Sequence, residues 1–281
     1  MRKYAANQNG NSLLELLVAV TVTVLAVSVS SGLLSATRRT ATQQELLTDA
    51  SINLRAVLDT LIRDIRLAGA CLPVTGDFIA LDGTNDGDED SIWIRTGQVR
   101  SDLSCIRTTT TQALPRNSNT IPVESVDGFT VGGRAYIRGP AGSGDYFTVT
   151  AVDQVNSRLT KTTSFSVDYA AGAGVYAIDE RRYFINHWAA PWGDTPELML
   201  QVGVQPAQPF AVGVEKLSFR YQLRRNCPPC DNVDLPANED EWRLVEQVIA
   251  EIRVRSDRRG PTNAFLTREA SVNIKPRNLL P

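Results

Sequence analysis

A long apolar segment near the start of the chain is the feature that most limits how this protein can fold. From Leu16 to Thr37 there are 22 consecutive residues without a charge, mostly valine, leucine and small or hydroxyl-bearing residues. As a helix rising 1.5 Å per residue, they would extend about 33 Å, enough to cross a hydrocarbon core of roughly 30 Å. A buried strand is much shorter. The segment therefore predicts a membrane-spanning helix.

One acidic residue, Glu15, stands directly before this segment. The apolar part of a cleaved secretory signal is usually about 7–15 residues long, which is shorter than the segment here. A plain N-terminal anchor would give Glu15 no role, although a carboxylate costs a few kcal/mol in lipid unless it is paired. An explanation of the segment must therefore account for Glu15 as well.

The residues before Glu15 supply a third interpretation. The polar, basic stretch MRKYAANQNG ends in Gly10, and four residues separate Gly10 from Glu15. This pattern, followed by a long apolar helix, resembles the prepilin signature of type IV pilins and type II secretion pseudopilins. The resemblance implies a leader peptide over residues 1–10, cleavage after Gly10 by prepilin peptidase and methylation of Asn11. Asn11 departs from the Phe or Met that is usual in the family.

Cleavage after Gly10 would suggest a physical role for Glu15. It would create a positive α-amine on Asn11, and a neighbouring subunit shifted along a filament could present its own amine to Glu15. Because a buried carboxylate is costly without a partner, such pairing would favour one stagger between subunits. The alternative is that Glu15 extends to the lipid headgroups from near the helix end.

The helical pattern continues beyond the apolar segment. Steps of three and four residues place one apolar stripe on the helix, while Arg55, Asp59, Arg63, Asp64 and Arg66 lie elsewhere around it. The expected stripe comprises Leu47, Ala50, Leu54, Val57, Leu58, Leu61, Ile65 and Ala68. Gly69 is a natural C-cap, and Pro73 follows it. We therefore predict one helix over residues 11–69, with about 13–35 in the membrane.

The rest of the chain, residues 70–281, reads as short strands separated by Gly and Asn turns. The predicted fold class is α+β: one long N-terminal helix packed on an antiparallel β-sheet head. The order of the segments resembles PilW-type minor pilins and J-type minor pseudopilins. The resemblance is carried by LIRDIRLAGAC, GDEDSIWIR, AVGVEKLSFRYQL and the terminal IRVRS and VNIKPRN. A β insertion that could form a small subdomain of the head is expected at about 117–176.

The chain contains four cysteines, Cys71, Cys105, Cys227 and Cys230, an even number that fits an exported head. Three pairings are possible, and the sequence favours Cys71–Cys105 with Cys227–Cys230 closing the CPPC loop. CPPC also occurs in thioredoxin-like redox sites, but the strand-then-helix context of such sites is missing. A zinc site would require all four cysteines to converge.

Two further motifs are candidates for binding. Asp82, Asp86 and Asp88 alternate along an acidic loop as calcium ligands do, although Trp93 occupies the position of the expected glutamate. A solvated turn explains the same loop. The motif HWAAPWG, with its histidine and two tryptophans, suits an aromatic contact surface, or else turn packing.

Charge and composition narrow the functional class. Lys and Arg total 29 against 31 for Asp and Glu, so we expect no nucleic acid partner. His187 is the single histidine, which leaves acid–base catalysis little to use, and we do not predict an enzyme or a required cofactor. The competing classes are a membrane-anchored periplasmic enzyme, with a polar pocket, and a tip adhesin or DNA-binding pilin, with an exposed aromatic or basic patch.

The direction of insertion is not set by charge, because Arg2 and Lys3 precede the segment while Arg38 and Arg39 follow it. The resemblance implies a single-pass protein of the bacterial inner membrane, with a cytoplasmic leader and a periplasmic head. It further implies a minor pilin that helps initiate type IV pilus assembly, with other minor and major pilins, prepilin peptidase and membrane lipid as partners. The alternative within the family is a minor pseudopilin of a type II secretion system.

Overall fold

A computed structural model describes residues 13–73, 76–139, 142–190, 193–224 and 232–279. The fold is α+β, as the sequence predicts: one long N-terminal helix packs against antiparallel sheets. This helix, α1, spans Leu13–Leu67, which is 55 residues or about 83 Å at 1.5 Å per residue.

The end of α1 is fixed by its connection to the head. Gly69 has φ +78°, the left-handed conformation expected of a glycine C-cap. Its N–H donates to the carbonyl of Arg95 at 2.9 Å, so the last turn is hydrogen-bonded directly to a strand. A Cβ at this position would lie 3.0 Å from Leu279 Cδ2 and 3.1 Å from the Asn278 carbonyl. Both the backbone and the space around it therefore favour glycine.

The second half of α1 buries one stripe, as predicted, although the stripe begins one residue earlier than expected. The buried members recur in steps of three and four: Leu46, Ala50, Leu54, Val57, Leu61, Ile65 and Ala68. Leu47 is only half-buried, because Leu46, four residues before Ala50, continues the row. This face packs on two strands near the end of the chain, β14 and β15, which cover Val245–Arg259 and Phe265–Ile274.

The remaining described elements are strands of 2 to 17 residues and one further helix, α2 (Glu239–Arg243). In chain order the strands before α2 are β1 (Leu81–Thr84), β2 (Ser91–Gly97), β3 (Arg107–Thr109), β4 (Thr120–Pro122), β5 (Arg134–Arg138), β6 (Gly144–Thr148), β7 (Ala151–Asp153), β8 (Arg158–Thr160), β9 (Gly174–Ala190), β10 (Gly193–Val202), β11 (Gln208–Val212), β12 (Val214–Leu223) and β13 (Asn232–Val233). The helix α2, Glu239–Arg243, precedes β14.

The strands form three antiparallel sheets in the described part of the chain. The largest has the order β1-β2-β9-β10-β11, with β3, β5 and β6 attached beside β9. The second has the order β13-β12-β14-β15, and the third β4-β8-β7. The long strand β9 pairs with β2 and β3 along one edge and with β10 and β5 along the other. The beginning of β9 therefore pairs with β3 and β5, and the rest of the strand pairs with β2 and β10.

Two separate hydrophobic cores support these layers. The main core lies between the α1 stripe and the two larger sheets, and it includes Ile92, Tyr183, Phe219 and Ile252. The second core draws on residues between Ile106 and Ala177, a stretch that contains the insertion expected at 117–176.

A disulfide joins Cys71, just beyond α1, to Cys105, the pairing that the sequence favours. Its Cα atoms are 5.5 Å apart, and it closes a loop with a sequence separation of 34 residues. Gly97 lies against it, since a Cβ there would come within 2.6 Å of Cys71 Cβ. Cys227 and Cys230 lie outside the described residues.

Removing this disulfide should destabilise the head substantially. For a loop of this length, the loss of the cross-link lowers the free energy of unfolding by about 3–4 kcal/mol, because the unfolded chain regains conformational entropy. The variant Cys71→Ala/Cys105→Ala is compared with the unmutated chain by urea unfolding in detergent, followed by tryptophan fluorescence. The predicted Cys227–Cys230 bond would close a far shorter loop, so the pair Cys227→Ala/Cys230→Ala serves as control and should change stability less. A loss below 1 kcal/mol for the first pair would contradict this expectation.

Candidate assembly interface

The first half of α1 presents a long apolar surface that the head does not cover. Every described side chain from 15 to 45 is exposed. Twelve large apolar side chains lie on this part of the helix: Leu13, Leu16, Leu17, Val18, Val20, Val22, Val24, Leu25, Val27, Val29, Leu33 and Leu34. Within the described residues, α1 is the one helix long and apolar enough to cross a membrane, which fits a single-pass anchor.

Six hydroxyl groups of this surface donate to carbonyls of their own helix. Thr23 Oγ1 donates to the carbonyl of Ala19 at 2.7 Å, and Ser28 Oγ donates to that of Val24 at 2.8 Å. The same bond to a residue three or four positions earlier is made by Thr21, Ser30, Thr37 and Thr40. Because these polar atoms have partners within the helix, a helix rich in serine and threonine suits an apolar environment.

Glu15 lies in the first turn of α1 and is exposed. With Leu16, Ala19, Val20 and Thr23 it lines a shallow apolar groove along the helix surface. A carboxylate in the first turn also faces the positive end of the helix dipole. Gly10 and Asn11, the predicted cleavage and methylation residues, lie outside the described residues.

The second half of α1 is held to the head by a buried polar contact that the helical pattern of the sequence does not reveal. Asp64 was expected away from the packed face, but its side chain is only 4% exposed. Asp64 Oδ2 accepts from Arg181 Nη1 at 2.9 Å and from the Tyr183 hydroxyl at 2.6 Å. Burial and this bond to Asp64 raise the pKa of Tyr183, so the phenol stays protonated as a donor.

The predicted exposure of Asp64 is wrong because the residue lies next to Ile65 at the border of the stripe. A charged residue at that position normally faces solvent. Its partners are 117 and 119 residues away in the sequence, and no local pattern reveals them. Asp179, which pairs with Arg181 at 3.1 Å, completes the group.

The acidic loop joins the two larger sheets. The Leu217 N–H on β12 donates to the Asp88 carbonyl at 2.7 Å, and the Asp90 N–H donates to the Leu217 carbonyl at 2.8 Å. Asp90 is buried, and its carboxylate accepts from the Phe219 N–H at 2.7 Å and from the Asp86 N–H at 2.8 Å. Burial raises the pKa of the Asp90 carboxyl, while these N–H donors oppose the shift.

Two of the three predicted calcium ligands, Asp82 and Asp88, lie beside basic side chains of the protein. Asp82 Oδ2 lies 3.5 Å from Arg95 Nη2, and Asp88 Oδ1 lies 3.7 Å from Lys216 Nζ. Among the described residues, no three His, Cys, Asp or Glu side chains group in a way that could hold a metal ion. The buried acid of this loop is Asp90, which was not among the predicted calcium ligands.

The aromatic motif is described only in part. His187 is exposed, and its Nε2 lies 2.6 Å from Glu89 Oε1. The side chain of Trp188 and all of Trp192 lie outside the described residues, so the expected contact surface stays a prediction.

No protein-family model matches this chain, and no curated protein matches it either. Its function is therefore inferred from the residues and contacts described above.

Proposed function

We propose that this protein is a minor pilin that takes part in initiating assembly of a type IV pilus, in a priming complex at the filament tip. One observation carries the proposal: a single helix has an entirely exposed apolar half and a one-sided half that packs on the head. This division suits a subunit that is anchored in lipid before assembly and is packed among the helices of other subunits afterwards.

The energy of the exposed surface supports this interpretation. Burying one valine or leucine side chain contributes about 1.5–3 kcal/mol. The twelve large apolar side chains of this surface therefore represent on the order of 20–35 kcal/mol, too much to leave in water. Lipid can cover them in the membrane, and other apolar helices can cover them in a filament.

Glu15 supplies the specificity that an apolar surface lacks. Apolar contact is non-directional, so helices of this kind could slide past one another at little cost. A carboxylate that pairs with the α-amine of a neighbouring subunit would penalise every stagger but one. The amine is created when prepilin peptidase cleaves after Gly10, which makes processing a condition for assembly.

The head contributes to the proposed location. The disulfide between Cys71 and Cys105 suits an oxidising compartment, as expected for a periplasmic head on an inner-membrane anchor. The partners in this proposal are other minor and major pilins, prepilin peptidase and membrane lipid.

Deletion of the gene in the native host tests the proposal and separates it from the pseudopilin alternative. We expect surface filaments, counted by electron microscopy, to fall at least tenfold, because priming of assembly is lost, and the full chain to restore them in trans. Protein secretion should be unchanged. Lost secretion with normal filaments would identify a pseudopilin instead, and no change in either would contradict both.

A further inference from the structure

A stacked arginine stands on the outer face of the largest sheet, the face opposite α1. Arg182 of β9 has its Cζ 4.4 Å from the centre of the Trp93 ring and 4.5 Å from that of Phe184. Trp93 lies directly across from Arg182 on β2, and Phe184 follows it by two residues on the same strand. The three side chains therefore share one face, and we call them the arginine stack.

The arginine stack lacks the acidic partner that neighbouring arginines have. Arg95 Nε pairs with Glu180 at 2.7 Å, and Arg181 pairs with Asp64 on the inner face. Within the described ranges, Arg182 makes no hydrogen bond or ion pair, and its buried Nε has no partner. The two aromatic rings hold the guanidinium in place, while its charge is left unneutralised.

The chemistry of this group defines what it would bind. Aromatic rings pack on the flat faces of a guanidinium, and its in-plane N–H groups form a fork that fits a carboxylate or phosphate. Arginine and tryptophan are also the side chains that most often dominate protein–protein contacts. The site therefore combines one directional cation with two apolar surfaces.

The surrounding charges favour a single carboxylate over a polyanion. Nucleic acid binding draws on several cations that neutralise successive phosphates. On this face Arg95 is already paired with Glu180, and Asp82, directly across from Trp93, adds a second acid. A lone unpaired cation among acids suits one acidic side chain of a protein.

We propose that the arginine stack is a docking site for an aspartate or glutamate side chain of a partner protein, with flanking apolar residues of the partner resting on Trp93 and Phe184. The proposal depends on the head alone, so it stands or falls separately from the pilin proposal.

The test uses the full chain in detergent, labelled with 5-fluorotryptophan, with the Trp93 signal assigned through Trp93→Phe. The probes are two short peptides, N-acetylated and C-amidated, that differ only in a central glutamate or glutamine between leucines. A twelve-residue oligothymidylate tests the nucleic acid alternative. Fluorine NMR shifts of Trp93 give the affinity of each probe.

We expect the glutamate peptide to bind at least about tenfold more tightly than the glutamine peptide, because a charge-assisted bond is lost in the latter. Arg182→Gln should remove this preference, and Arg182→Lys should restore it only in part. The control Arg253→Gln, which removes a paired arginine on the other large sheet, should leave it unchanged. Equal affinity for the two peptides, no binding of the glutamate peptide, or tighter binding of oligothymidylate would each overturn the proposal.

Discussion

Replacement of Glu15 by alanine should abolish co-assembly while leaving the head folded. If Glu15 pairs with the α-amine of a neighbour, its loss leaves that amine buried without a partner, at a cost of about 3–5 kcal/mol. This corresponds to a decrease of roughly 10²- to 4 × 10³-fold in the association constant. Membrane insertion should persist or improve, because a charge is removed from an apolar helix.

The measurement is co-purification of the other minor pilins with each variant from detergent-solubilised membranes, together with pilus counts. Glu15→Gln should be nearly as damaging, since it keeps shape and hydrogen bonding but not charge. Glu45→Ala is the matched control, because Glu45 is an exposed acid of the same helix outside the apolar segment. Normal recovery of partners with Glu15→Ala would show that the carboxylate only reaches the headgroups.

Asp64→Ala should cause a large loss of stability in the head. Asp64 is buried and accepts from both Arg181 and Tyr183, so alanine would leave Arg181 with Asp179 as its one remaining acidic partner and the buried Tyr183 hydroxyl without its acceptor. Breaking a buried pair costs about 3–5 kcal/mol, and because Asp179 still pairs with Arg181 we expect the lower end of that range. Asp64→Asn should lose less, because an amide oxygen can still accept from Tyr183.

Urea unfolding of the full chain in detergent measures this effect. Asp59→Ala is the matched control: it removes an exposed aspartate one and a half turns earlier on α1 and should change the free energy of unfolding by less than about 0.5 kcal/mol. Equal stability of the Asp64→Ala and Asp59→Ala variants would mean that the buried contact does not hold α1 to the head.

The long helix could be predicted from the sequence because its determinants are local. Each determinant acts within a few turns of helix: the uncharged segment, the apolar residues in steps of three and four, and the C-cap at Gly69. Together they predict a helix over residues 11–69, and α1 spans Leu13–Leu67. The prediction of Leu47 instead of Leu46 as the first buried residue also has a local cause. Both residues lie near the border of the stripe, and packing on the head decides which of them is buried.

The arrangement of the head could not be predicted in the same way. The strands were visible as short alternating segments, but β9 pairs with elements from very different parts of the chain. Asp64 and the arginine stack depend on such pairings, because strand register alone brings Trp93 beside Arg182. Contacts between side chains on elements far apart in the chain leave no periodic signal in the sequence.

The central claim, that the chain is processed and assembled as a pilin, is tested most directly by the intact mass of the protein recovered from membranes of the native host. We predict a mature chain that begins at Asn11, with or without one added methyl group, and a full-length precursor when Gly10 is replaced by a bulky residue. A mature chain that begins at any residue other than Asn11 would contradict the claim.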